Sequence, residues 1–151
     1  MNKDLQIAKK TIQTEIQALK KLSASFNNTS QFSKVVNLLS KLKGKCLVVG
    51  VGKSYLVGLK ISSTLSSLGT PSVAFSANDL QHGGLGAIQK NQDLLLIFSV
   101  SGESSELNSI LKYANRHNVT VIGVSSKSSS MLIKHSNIKI ILPKVVEAGH
   151  S

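Results

Sequence analysis

Short apolar runs alternate with amphipathic segments along most of the chain. The apolar runs predict strands near residues 45–50, 72–76, 93–99, 119–124 and 138–142, and the segments between them predict helices near 54–68, 104–117 and 128–135. Strands that alternate with helices are joined by right-handed crossovers, which place the strands in a parallel sheet. The pattern therefore predicts an α/β fold, a three-layer α/β/α sandwich with a five-stranded parallel sheet.

Two more helices are predicted before the first strand. Apolar residues recur near the helical spacing over residues 4–25 and again over 30–42, and a turn cluster at residues 27–30 can cap the second helix. We therefore expect amino-terminal helices over residues 1–43 and a sheet domain over residues 44–151.

The chain is strongly basic. Eighteen Lys and Arg residues against seven Asp and Glu residues give a formal net charge of +11. The lysines are spread along the chain, however, and the six aromatic residues form no stacking ladder, so we expect no nucleic-acid partner. The same charge is compatible with small anionic ligands such as phosphates.

Targeting signals and cysteine clusters are both missing from the sequence pattern. No apolar run reaches signal-peptide or membrane-span length, so we expect a cytoplasmic protein with no membrane partner. The lone cysteine, Cys46, has no partner for a disulfide or a cysteine metal cluster, and its position inside the first strand indicates a buried apolar role.

The first strand runs into Gly-Val-Gly-Lys-Ser at residues 50–54. The spacing fits neither a Walker A loop, which needs a glycine where Leu47 stands, nor a dinucleotide fingerprint, which needs one at Tyr55. A tight strand-to-helix turn remains, with Lys53 near a helix amino terminus. The alternative is that Lys53 is only a solvated loop lysine.

The third strand runs into Ser-Val-Ser-Gly-Glu-Ser-Ser-Glu at residues 99–106, called here the serine loop. Its hydroxyls, its glycine and the free amides of a helix start can form a cradle for one phosphate. Helix capping by Ser101 or Ser104, with Glu103 and Glu106 complementing the helix dipole, is the alternative. Capping accounts for one serine and one glutamate but not for the whole cluster.

Two further titratable residues fall on the same predicted edge. His82 follows the second strand among three glycines and could exchange protons near neutral pH, although a lone loop histidine is more often incidental. Glu147 lies beyond the fifth strand. The fold should bring Lys53, His82, Glu106 and Glu147 together.

At these loops the chain resembles the SIS (sugar isomerase) domain family, which is flavodoxin-like in fold. Within that family it is similar to the arabinose-5-phosphate isomerases of the KpsF/GutQ type. The resemblance covers about residues 44–147 and is carried by residues 50–54, 69–71, 82–86, 99–106 and 146–148. The chain differs from the family's usual residues at Tyr55 and Leu56 (Gly-His), at Gly84 (Asp) and at Val100 (Asn).

The resemblance implies an isomerase that interconverts ribulose 5-phosphate and arabinose 5-phosphate through an enediol-like intermediate, in carbohydrate metabolism and lipopolysaccharide biosynthesis. No cofactor and no metal are implied. Lys53 would stabilise oxyanion charge, Glu106 and Glu147 would be the acid and base, and His82 would line the sugar site. The implied contacts to the substrate and its phosphate are Gly52, Ser54, Ser99, Ser101, Gly102, Glu103, Ser104 and Ser105.

The resemblance also implies a homo-oligomer, a tetramer in which the amino-terminal helix packs on neighbouring subunits. The family continues past Glu147 with further helices and often CBS domains, so the domain is expected to be truncated at its carboxyl terminus. A non-catalytic module that binds a phosphosugar and regulates another protein is the alternative function.

Overall fold

The computed structural model describes residues 2–26 and 30–148, which fall into two compact units. Residues 30–141 form the sheet unit, and the remaining described residues form the other. Most of the predicted turn cluster at residues 27–30 and the end of the predicted domain at residue 151 lie outside the described residues.

The smaller unit contains α1 (Lys3–Ser25) and the segment of residues 142–148. Asn2 caps α1 through its side-chain oxygen, which accepts a hydrogen bond from the Asp4 amide at 3.0 Å. No residue of α1 is buried. None of the helices in the described part of the chain is long and apolar enough to cross a membrane.

The sheet unit alternates strands and helices as predicted. Its elements are α2 (Ser30–Ser40), β1 (Cys46–Gly50), α3 (Lys53–Ser67), β2 (Ser72–Ser76), α4 (Ala77–Gln81), β3 (Leu94–Phe98), α5 (Leu107–Arg116), β4 (Thr120–Ser125), α6 (Met131–Lys134) and β5 (Ile138–Ile141). A 3₁₀ turn, Gly84–Ala87, lies between α4 and β3. The strand order is β2-β1-β3-β4-β5, and every pairing is parallel. The predicted α/β fold with a five-stranded parallel sheet is therefore confirmed.

Three helices differ from the sequence prediction. The helix α4 was not predicted, because its five residues lead directly into a glycine-rich stretch. The helix α5 begins at Leu107 rather than near residue 104, and α6 spans only Met131–Lys134. Serine and glutamate residues favour helix starts, so the sequence pattern placed both starts too early.

The core follows the alternation of side chains along the central strands. Leu47 and Val49 of β1 share a buried cluster with Leu95 and Ile97 of β3 and with apolar residues of α4, α5 and α6. Val48 points to the opposite face, where α3 packs so closely that a Cβ on Gly58 would lie 3.2 Å from a Val48 methyl group. Helices therefore cover both faces of the sheet.

The amino edge of the sheet, where the strands begin, is held by one buried carboxylate. Asp93 accepts hydrogen bonds from the Lys45 amide at 2.8 Å and the Gln89 amide at 2.7 Å, and it pairs with the Lys45 ammonium at 2.5 Å. Burial opposes ionisation of this group, but the Lys45 ammonium and the two amides outweigh burial and lower the pKa of Asp93.

Cys46 is fully buried at the start of β1, as its position in the sequence indicated. Burial in an apolar surrounding raises the pKa of its thiol to about 12. A thiol that stays protonated at neutral pH is a poor nucleophile, so Cys46 is a structural residue.

Candidate functional site

A crevice is expected at the carboxyl edge of the sheet, between β1 and β3. These strands are neighbours, and Gly50 at the end of β1 pairs with Phe98 at the end of β3. From this point the chain crosses to β2 on one side and to β4 on the other. In open α/β sheets such a reversal of strand order is where ligands bind, so residues 51–54 and the serine loop flank the candidate site.

The loop after β1 makes a close turn into α3. A Cβ on Gly50 would lie 2.5 Å from the Tyr55 backbone nitrogen, so only glycine fits there. Gly52 is the N-cap residue of α3 and offers no side-chain cap, and Lys53 is the exposed first residue of the helix. No carboxylate in the described part of the chain forms an ion pair with Lys53, so its ammonium is available at a helix amino terminus.

The serine loop folds back on itself through its own hydroxyls. The buried Ser99 hydroxyl accepts a hydrogen bond from the Gly102 amide at 3.0 Å, and the Ser101 hydroxyl accepts one from the Glu103 amide at 3.3 Å. Within residues 2–26 and 30–148, the amides of Ser104, Ser105 and Glu106 have no hydrogen-bond acceptor. Consecutive unpaired amides beside hydroxyl groups form a site that suits an anion.

Helix capping does not account for these serines. The N-cap residue of α5 is Glu106, whose side chain makes no capping hydrogen bond. The Ser101 hydroxyl is bonded within the loop, and the Ser105 hydroxyl donates to the Glu106 carboxylate at 3.2 Å. The capping interpretation of Ser101 and Ser104 is therefore wrong for this helix.

The loop is fixed in place by the last residue of β4 and by residues just after it. The Val100 carbonyl oxygen accepts from the Ser125 hydroxyl at 3.0 Å and from the Ser126 hydroxyl at 2.9 Å and amide at 3.1 Å. Gly102, with φ of 65°, packs against the side chains of Ser130 and Ser125, where a Cβ would collide. These supporting serines were not identified from the sequence, although their position at the end of an inner strand was a usable signal.

The Glu103 carboxylate, which cannot donate a hydrogen bond to an anion, is bonded to residues outside the serine loop. It pairs with the Lys127 ammonium at 2.8 Å and accepts the Met131 amide at 3.3 Å. The hydrogen bond from Lys127, followed by that from Met131, lowers the pKa of Glu103. Its predicted contact with phosphate remains a prediction.

His82 lies in the segment after β2, just beyond α4. It is exposed and is the C-cap residue of α4, which packs against α5. The neighbouring Gln81 side chain accepts a hydrogen bond from Ser109 in the first turn of α5 at 3.0 Å. This contact links the segment around His82 to α5, whose N-cap residue is Glu106.

Glu147 belongs to a different compact unit from these loops. It belongs to the segment of residues 142–148, which groups with α1 rather than with the sheet. Its convergence with Lys53, His82 and Glu106 remains a prediction. Within the described ranges, no three His, Cys, Asp or Glu side chains form a group that could hold a metal ion.

A cavity of about 420 Å³ lies at the opposite, amino edge of the sheet. Its lining includes Lys41, Lys43, Asn91 and Asn118. In a parallel α/β sheet this edge collects the carbonyl ends of helices, which repel anions. The carboxyl edge, with its helix amino termini, is the better candidate for an anionic ligand.

Comparison with known proteins agrees with this architecture. Residues 38–151 match the SIS domain family. The arabinose 5-phosphate isomerase KdsD of Pseudomonas aeruginosa is 36% identical over 133 residues, which is 88% of this chain and 40% of that protein. KdsD of Yersinia pestis is 33% identical over 143 residues, covering 95% of this chain and 43% of that protein. The chain thus spans about two fifths of the length of these relatives.

A solved structure shows the same fold. The protein c3406 of E. coli CFT073, in complex with arabinose 5-phosphate, superposes with a TM-score of 0.89 at 26% identity and covers 99% of this chain and 79% of that one. Because the family match extends over most of the sequence, this chain belongs to the SIS domain family.

Proposed function

We propose that this chain is a sugar-phosphate isomerase domain that interconverts ribulose 5-phosphate and arabinose 5-phosphate. The observation that carries the proposal is the pairing of Gly50 with Phe98, which brings residues 51–54 beside the serine loop at the point where the strand order reverses. The similarity to arabinose 5-phosphate isomerases supports the reaction, and the sugar-phosphate complex of the similar structure supports the ligand class.

The phosphate is held by the serine loop in this proposal. The unpaired amides of Ser104, Ser105 and Glu106 and the hydroxyls of Ser101 and Ser104 donate to its oxygens. Ser99 and Gly102 shape the loop, and Gly52, Ser54 and Ser105 complete the contacts. Amides and hydroxyls held in a rigid loop bind a dianion without a large cost in ordering.

The reacting carbons lie between the loops that follow β1 and β3. A carboxylate, Glu106 or Glu147, removes a proton from C1 of ribulose 5-phosphate, and the electrons of the C–H bond form the C1–C2 double bond. Lys53 stabilises the charge that develops on the C2 oxygen. The C2 oxygen then takes up the proton that leaves the C1 hydroxyl, C2 receives the proton held by the carboxylate, and C1 becomes the aldehyde carbon, so no proton is gained or lost overall. His82 lines the sugar site.

The domain organisation, the assembly and the location are proposed from the same similarity to the SIS family. Residues 1–43 would pack on the domain and on neighbouring subunits of a tetramer, and residues 44–151 would belong to the SIS domain. The protein would act in the cytoplasm, in the supply of arabinose 5-phosphate for lipopolysaccharide biosynthesis.

The test measures conversion of ribulose 5-phosphate to arabinose 5-phosphate together with binding of both sugars. Glu106→Gln keeps the shape of the side chain but cannot take a proton, so turnover should fall roughly 10²–10⁴-fold with little loss of binding. Glu15→Gln on α1 is the matched control and should leave turnover unchanged.

Each other outcome has a clear meaning. Binding without turnover in the wild-type chain would favour the non-catalytic phosphosugar module. Turnover of Glu106→Gln within a factor of about two of wild type would remove Glu106 from the proton transfer, because a positioned base contributes far more.

A further inference from the structure

A carboxylate stands inside the loop that is proposed to hold a phosphate. Glu103 follows Gly102 directly and precedes the unpaired amides of Ser104 and Ser105. A negative charge at that position repels a phosphate dianion. The loop therefore needs either a way to remove the charge or a cation that neutralises it.

Lys127 supplies that cation. It lies in the loop of residues 126–130, and its ammonium is 2.8 Å from one Glu103 carboxylate oxygen. The second oxygen accepts the Met131 amide at 3.3 Å. Both oxygens of Glu103 are thus turned toward the segment after β4.

Fold stability does not explain this ion pair. Both side chains are about half exposed, and exposed ion pairs contribute little to folding free energy. The serine loop is already held by the hydrogen bonds to the Val100 carbonyl oxygen and by the Leu132 amide, which donates to the Gly102 carbonyl oxygen at 3.0 Å. The charge of Lys127, rather than a structural tether, is what the pair adds.

We propose that Lys127 sets the phosphate affinity of the serine loop by neutralising the Glu103 carboxylate. The inference rests on the proposed function, since it requires the ligand phosphate to lie in this loop. It makes Lys127 a positioning and charge-compensating residue, which acts on the ligand through Glu103.

The test is a double-mutant cycle in which the Kd of arabinose 5-phosphate is measured by calorimetry at low ionic strength. Lys127→Met leaves an uncompensated negative charge and should weaken binding about three- to tenfold. Glu103→Gln should bind at least as tightly as wild type. The double variant, Lys127→Met with Glu103→Gln, should return to within about twofold of wild type because no net charge is left in the pair.

Two controls separate charge from shape and from general basicity. Lys112→Met removes the same charge from the surface of α5, away from the serine loop, and should leave the Kd unchanged. The effect of Lys127→Met should also shrink as salt is raised, because exposed charges are screened.

Several results would overturn the inference. If the double variant binds as weakly as Lys127→Met, Lys127 acts on the ligand directly or holds the loop, and the proposal is wrong. Unchanged affinity of Lys127→Met leads to the same conclusion while leaving the proposed function intact. Failure of the wild-type chain to bind arabinose 5-phosphate would overturn both.

Discussion

Gly50 and Phe98 lie opposite one another at the ends of β1 and β3, and this pairing defines the candidate site. The connections that follow these two positions lead to opposite sides of the sheet. Such a reversal leaves a crevice between the two loops. One loop brings a lysine at a helix start, and the other brings hydroxyls and unpaired amides. Binding of the phosphate group is therefore expected at the carboxyl edge rather than at the amino edge.

The serine loop should lose affinity when its hydroxyls are removed. In the Ser101→Ala, Ser104→Ala double variant the loop keeps its backbone, but the bonds from two hydroxyls to the phosphate are lost. Binding of arabinose 5-phosphate should weaken by roughly 1–3 kcal/mol, measured by calorimetry. Ser33→Ala with Ser63→Ala, two exposed serines on α2 and α3, is the matched control. Equal affinity of both double variants would show that the serine loop does not bind the ligand.

Asp93 should stabilise the sheet unit in a pH-dependent way. Its pKa is lowered in the folded chain, so its contribution is present above its unfolded value of about 3.9 and is lost as pH falls through the folded value. Asp93→Asn leaves the partly buried hydrogen bonds from the Lys45 and Gln89 amides with a weaker acceptor and should cost roughly 1.5–3 kcal/mol near neutral pH.

Urea unfolding of wild type and Asp93→Asn from neutral pH down to the acid range checks this expectation. The difference in unfolding free energy should shrink on acidification. Asp79→Asn, at an exposed carboxylate bonded to Ser76, should show a much smaller loss. A difference that grows as the pH falls would contradict the assignment.

The helix α1 should mediate self-association. Leu5, Ile12 and Leu19 follow one another at seven-residue intervals and are 49%, 57% and 64% exposed. Such a stripe is typical of a helix that packs on another helix. Leu19→Asp should lower the association state measured by analytical ultracentrifugation, whereas Gln13→Asp on the same helix should not. A monomeric wild-type chain at micromolar concentration would contradict the expectation.

The strands were predictable because each is a short apolar run bounded by turn residues. The serine loop was also visible, since hydroxyls and a glycine directly follow the apolar run of β3. The start of α5 could not be predicted, because Ser104, Ser105 and Glu106 are all common at helix starts but the helix begins only at Leu107.

Contacts between distant loops could not be predicted from the sequence. The Glu103–Lys127 pair joins residues 24 positions apart, and the three bonds to the Val100 carbonyl depend on how two loops meet. Periodicity carries no information about such contacts. The relation of Glu147 to the site depends likewise on a segment outside the sheet unit and stays a prediction.

The most direct test of the central claim is a titration of isotope-labelled chain with arabinose 5-phosphate, followed by the NMR shifts of the backbone amides. The largest changes are expected on Gly52, Lys53 and Ser54 and on residues 101–106, with saturation at one site. Small changes are expected at Asn91 and Asn118, which line the cavity at the amino edge. Changes concentrated at those two asparagines, with residues 101–106 unaffected, would contradict a ligand site at the carboxyl edge.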